Sequence, residues 1–126
     1  MRALAGIMSA GRFLFGVAFI ARPELMERGW IGKPARLPGA QVLARAVGAR
    51  DLAVGLGWLQ AVARGDGSAR PWLAAAATCD AVDLGATLAA GSGIPRQARL
   101  TVLAIAGVAV LLSVIAAAGS RAEDTA

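Results

Sequence analysis

The chain has 126 residues, 57% of them hydrophobic, with thirteen basic and eight acidic residues, a formal charge of +5, one cysteine and no histidine. The apolar fraction and a mean hydropathy of +0.62 lie above the soluble globular average and point to lipid as solvent, an Ala-rich soluble bundle being the competing reading. Histidine metal sites, Ser-His triads, thiolate cages and an internal disulfide are excluded, and no cofactor is expected.

The first apolar run, 3–21, is near the minimum of ~17–25 residues that span a bilayer core. Arg12 interrupts it, and no small-residue cleavage site follows, so it reads as a mature helix and not as a signal peptide. Ser9, Arg12 and Gly16 share one face, which is expected to look inward because its small residues admit a neighbouring backbone. Pro23, Pro34 and Pro38, with Arg28, Lys33 and Arg36, mark 22–38 as a connector. Leu25, Met26, Trp30 and Ile31 equip part of it to lie at the membrane interface, as an ordinary basic loop or as a lid.

The second expected helix, 39–63, is long enough to span although Arg45, Arg50 and Asp51 lie within it. Ala44, Gly48, Asp51, Gly55 and Trp58 form one stripe of small residues with a carboxylate at its centre. The polar stretch 64–68 predicts a tight turn between antiparallel neighbours, with Trp58 and Trp72 as an interfacial pair beside it. The third helix is expected over 71–94, with Pro71 in its first turn. Gly91-Ser92-Gly93-Ile94-Pro95 then breaks the chain before a fourth helix over 98–119, whose uncharged run from Leu100 is the cleanest spanning signal and predicts a lipid-exposed or scaffolding role. Residues 121–126 read as a polar tail.

The expected architecture is therefore all-α, a four-helix transmembrane bundle of one domain. The basic residues flank or interrupt apolar runs instead of clustering with aromatics, so the lipid bilayer, not nucleic acid, is the expected partner. Arg22, Arg28, Lys33, Arg36, Arg96 and Arg99 on one side outnumber Arg2, Arg64, Arg70 and Arg121 on the other, and the positive-inside rule then places both termini outside. Twelve of the thirteen basic residues are Arg, and Ala and Gly abound, as in high-GC bacterial coding. A bacterial plasma membrane is the expected location.

Arg12, Arg50, Asp51, Asp80 and Asp83 all project near the midplane if each helix spans. An ionised side chain facing lipid at a helix centre costs ~2.5–3.5 kcal/mol on insertion scales, so these residues are expected to pair across helices as a buried polar network. Arg45 lies off centre, free to reach the interface. Counting it, the spans hold three Arg and three Asp. Asp80 and Asp83 share a face with Thr87 a turn further and are the candidates for any acid-base chemistry. Cys79 reads as a packing residue, since no activating base accompanies it.

The run Arg45-x-x-Gly48-Ala49-Arg50-Asp51-Leu52-Ala53-x-Gly55-Leu56-Gly57, with Trp72 and Asp80-x-x-Asp83 after it and Arg12-x-x-x-Gly16 and Arg22-Pro23 before it, resembles the pattern of a group of small four-helix membrane proteins of actinobacterial type, a domain of unknown function. The resemblance covers roughly Arg12 to Asp83 and fades in the last helix. It implies an integral membrane location and four helices, and it brings no assigned activity. Three roles are compatible with the residues. The first is a structural or accessory membrane protein, associating with itself or with a larger membrane complex. The second is a proton-coupled transporter, although small multidrug exporters carry an acidic residue in their first helix where this chain has Arg12. The third is an intramembrane acid-base enzyme acting on a lipid or isoprenoid.

Overall fold

Proline and glycine set the boundaries of the helices. The computed structural model describes residues 2–65 and 68–124, and every regular element among them is helical: α1 (Arg2–Ala21), α2 (Pro23–Ile31), α3 (Pro38–Arg64), α4 (Ala69–Ala90) and α5 (Arg96–Asp124), with single 3-10 turns at Lys33–Arg36 and Gly91–Gly93. Pro23 and Pro38 open α2 and α3, where a missing N–H costs nothing and a fixed φ favours the helix. Asp66 and Gly67 of the expected turn, and Thr125 and Ala126 of the expected tail, lie outside the described residues.

Two boundaries differ from the sequence reading. The described residues form five α-helices where four were expected, because the stretch read as a connector contains α2. Pro23, Glu27 and Trp30 fall on one face of this helix, the first two of them buried, until Gly32 at φ 75° ends it in a conformation that favours glycine. The last helix also runs on through Arg121–Asp124, which were expected to be tail. Nothing there breaks a helix, since Ala and charged residues extend one readily.

Helices α1 and α3 pack antiparallel along their whole length. A methyl group added at Gly48 would stand 2.8 Å from the Gly16 carbonyl oxygen and 2.8 Å from Phe19 Cβ, and one added at Gly55 would stand 2.8 Å from Phe13 Cα. The backbones themselves touch, which only small residues permit. The buried stripe of α3 is Ala44, Gly48, Asp51, Gly55, Trp58 and Ala61, and that of α1 is Ser9, Gly16 and Phe19 with Arg12 between them. Helix α4 runs antiparallel along another flank of α3, where Trp58, Leu73 and Ala76 form a buried cluster that Ala5 and Met8 of α1 also touch. Trp58 is only 2% exposed. It is a core residue and not half of an interfacial pair; Trp72, with its ring over Gly57, keeps an exposed edge. Helix α5 packs on α4 and touches α2, burying Ala98, Ala106 and Ser113.

The resulting distribution is inverted relative to a soluble bundle. The interior holds Ala, Gly, Ser, Thr and Asp with only Phe19, Trp58 and Leu73 as large apolar residues among those described, whereas Ile7, Leu14, Leu25, Val42, Leu43, Val82, Ile105 and Leu111 are all more than half exposed. In water such a surface would drive association, and in lipid it costs nothing. Among the described residues three helices are long and apolar enough to cross a membrane, over Arg2–Ala21, Ala69–Gly93 and Arg96–Ser113. Helix α3, at 27 residues and therefore about 40 Å long, has the length, but it carries Arg45, Arg50 and Asp51.

Candidate functional site

Arg12, Asp51 and Asp80 each stand at the midpoint of their helix, α1, α3 and α4. Because these helices pack antiparallel, their midpoints fall at one level and the three side chains meet. Arg12 donates through Nη1 to Asp51 Oδ1 at 2.7 Å and through Nη2 to Asp80 Oδ1. Arg50 donates through Nε to the same Asp51 oxygen at 3.2 Å, and its Nη1 and Nη2 reach the two oxygens of Asp83 at 3.0 and 2.7 Å. The contacts form a chain of alternating charge, Asp80, Arg12, Asp51, Arg50, Asp83. Both ends lie on α4, three residues apart on one face, so the chain closes into a ring that ties α1 and α3 to α4.

The ring has a division of labour that follows from guanidinium geometry. Arg50 holds Asp83 in a bidentate fork, the strongest pairing available to either residue, while Arg12 divides its two terminal nitrogens between two helices. The backbones of α1 and α4 approach little, so Arg12 reaches across the gap between them. Its side chain is 11% exposed and that of Asp51 6%, a burial that either residue alone would not tolerate.

Five of the six charges expected within the spans thus converge, and the sixth does not. Arg45 is exposed and reaches only the Gln41 carbonyl, one turn back on its own helix. The expected balance of three cations and three carboxylates becomes two arginines against three aspartates inside the ring. Cys79 beside Asp80 is half-buried and takes no part. Among the described residues no three acidic or sulfur side chains converge in an arrangement able to hold a metal ion, so it is arginine that compensates these carboxylates.

Two features were not legible in the chain. Thr87, which shares a face with Asp80 and Asp83, does not address them with its hydroxyl. It donates to the Asp83 carbonyl at 2.7 Å and accepts the Trp30 indole N–H at 3.0 Å. Trp30 of α2 thereby docks on the last turn of α4, one turn beyond Asp83. Glu27, one turn before Trp30, is 8% exposed, and its Oε2 is buried without a hydrogen-bond partner among the described residues. Burial pushes its carboxyl above the ordinary glutamate value. The available signal was spacing, since Pro23, Glu27 and Trp30 recur at helical intervals.

Two surface grooves, of about 290 and 230 Å3, both lie at the α2 end of the bundle, and no member of the ring lines either. Comparison of the chain with known protein families, with curated proteins and with solved structures found no match, so the functional reading rests on these residues and their geometry.

Proposed function

We propose that the chain is a four-span protein of the bacterial plasma membrane, that the Arg–Asp ring fastens α1, α3 and α4 at the bilayer midplane, and that the protein serves a structural or accessory role. The observation that carries this reading is the closure of the ring. Each of its guanidinium groups engages two carboxylates, and each of its aspartates has an arginine. A site built to bind a substrate keeps polar groups turned toward a cavity; here they are turned toward one another. The faces rich in Gly and Ala and the exposed apolar surface favour association with a second copy or with a larger membrane complex.

Folded yield in mild detergent tests this role. Asp80→Asn and Asp83→Asn are expected to lower it more than Leu111→Ala, because Leu111 is exposed on α5. Wild-type yield from both Asp variants, accompanied by loss of transport or turnover, would overturn the structural reading.

One observation favours a second reading. Two arginines facing three aspartates leave one negative charge uncompensated within the spans, and a low-dielectric site satisfies that excess by holding a proton. A proton-coupled transporter would use such a proton. Proton flux into liposomes containing the purified chain, abolished by Asp80→Asn, is the result that would move the assignment to transport. Intramembrane acid-base catalysis has less support, because neither groove is lined by Asp80 or Asp83.

A further inference from the structure

The larger groove, of about 290 Å3, lies where α1 ends and α2 begins, against the first turns of α3, and Arg22, Arg28 and Arg45 line it together with Gln41, Glu24, Leu25, Ala21 and Pro23. None of the three arginines has a carboxylate partner among the described residues, and Glu24, the one acid in the lining, is engaged by Arg36 at 3.0 Å. Three arginines from three parts of the chain thus line one concavity. The opening turn of α2 adds backbone N–H groups that have no acceptor within the helix. Arg45 lies about 10 Å along α3 from Pro38, so the groove spans the border between hydrocarbon and head groups if α3 crosses the bilayer. Beside it Ile20, Leu25, Val42 and Leu43 are exposed, apolar residues at about the level of the arginines that acyl chains can cover.

We propose that this groove binds the phosphate of an anionic phospholipid head group, in the leaflet on the more basic side of the bundle. The chemistry recognised is a phosphate anion, which the planar forks of arginine bind by paired hydrogen bonds. Its source is the lipid and not free phosphate, because arginines flanked by exposed apolar residues match both ends of an amphiphile. Basic pockets between helices at the membrane surface are a recurrent form of such recognition.

Native mass spectrometry of the full chain in mild detergent, titrated with phosphatidylglycerol, phosphatidylcholine or inorganic phosphate, tests the assignment. Phosphatidylglycerol is expected to give one saturable adduct, bound roughly tenfold or more tightly than phosphatidylcholine. The variant Arg28→Gln with Arg45→Gln is expected to remove that preference. Lys33→Gln with Arg96→Gln, equal in charge lost and on the same side but outside this groove, is expected to change it less than about threefold. All four positions lie at the surface, and unchanged helicity and tryptophan fluorescence will show that each variant is folded. An equal loss in both double variants, no loss in the first, or saturation by inorganic phosphate without phosphatidylglycerol binding would overturn the proposal.

Discussion

Replacing Arg12 by leucine removes the cation that touches Asp80 while leaving Asp51 its contact with Arg50 at 3.2 Å. The ring then holds one arginine and three aspartates. Two magnitudes bound the cost. Removing one partner of a buried pair destabilises by ~3–5 kcal/mol, because the other charge stays behind without compensation. The abandoned carboxylate escapes by taking up a proton, which at pH 7 costs about 4 kcal/mol from the ordinary aspartate value. Arg12→Leu is therefore expected to cost roughly 3–4 kcal/mol. Adding Asp80→Asn removes the orphan and is expected to restore about half of that loss, although Asp80→Asn alone is itself destabilising. The double-mutant cycle should accordingly show a coupling of at least about 1.5–2 kcal/mol, larger by whatever Asp80→Asn costs alone. Unfolding of the detergent-solubilised chain by sodium dodecyl sulfate, followed through tryptophan fluorescence, to which buried Trp58 contributes, measures these differences while the individual helices persist. A loss below about 1 kcal/mol for Arg12→Leu, or strict additivity in the double variant, would refute the claim that Arg12 and Asp80 act as a pair.

Gly48→Ala is expected to lower stability by about 1–3 kcal/mol, since its methyl group meets the Gly16 carbonyl oxygen at 2.8 Å, whereas Gly85→Ala, with nothing within 4 Å, is expected to be neutral or to raise it by up to about 1 kcal/mol. The same unfolding assay measures both, and equal effects would mean that α1 and α3 are not in backbone contact. Glu27 sets a pH dependence outside the spans. Its carboxyl lies above the ordinary glutamate value in the folded chain, so the folded state binds the proton more tightly and the seating of α2 is strongest at acid pH. That stability is lost as pH rises through the folded-state value. Hydrogen exchange of α2 amides, corrected for intrinsic rates, should show increasing opening as pH rises above the ordinary glutamate range in the wild type and a flat response in Glu27→Gln; parallel profiles would exclude Glu27 as the cause.

The faces of the helices were readable because small and charged residues obey helical spacing. Ala44, Gly48, Asp51, Gly55 and Trp58 form the stripe that α3 buries, and Ser9, Arg12 and Gly16 that of α1. Depth counting also brought the five ring residues to one level. Partner choice was not readable, since spacing within one helix does not fix the rotation of its neighbour. That rotation determines which carboxylate each arginine meets, whereas the outward course of Arg45 followed from its off-centre position. Helix α2 was missed for a related reason. Three prolines between 22 and 38 argue for loop, yet two of them stand at the first position of α2 or α3, where proline starts a helix instead of breaking one.

The helix that organises the bundle is also the one least suited to enter lipid alone. Helix α3 contacts α1, α2 and α4, supplies Asp51 and Arg50, and carries three charges along its 27 residues before the arginine that ends it. At ~2.5–3.5 kcal/mol for each charge near a helix centre, the cost of isolated insertion exceeds the gain from its leucines and valines, at ~0.3–0.6 kcal/mol each. Its neighbours have the complementary property: α1 and α4 each satisfy the apolar length requirement while holding the charges that α3 needs. If α3 spans as proposed, its insertion is coupled to pairing with Arg12 and Asp83, so the ring would govern assembly as well as stability. Glycosylation mapping of truncated chains tests this coupling. A chain ending after α3 should insert α3 less efficiently than one that includes α4, and Asp83→Leu should remove most of the benefit of adding α4. Full insertion of α3 in the shorter chain would show that the ring acts only after the helices are in place.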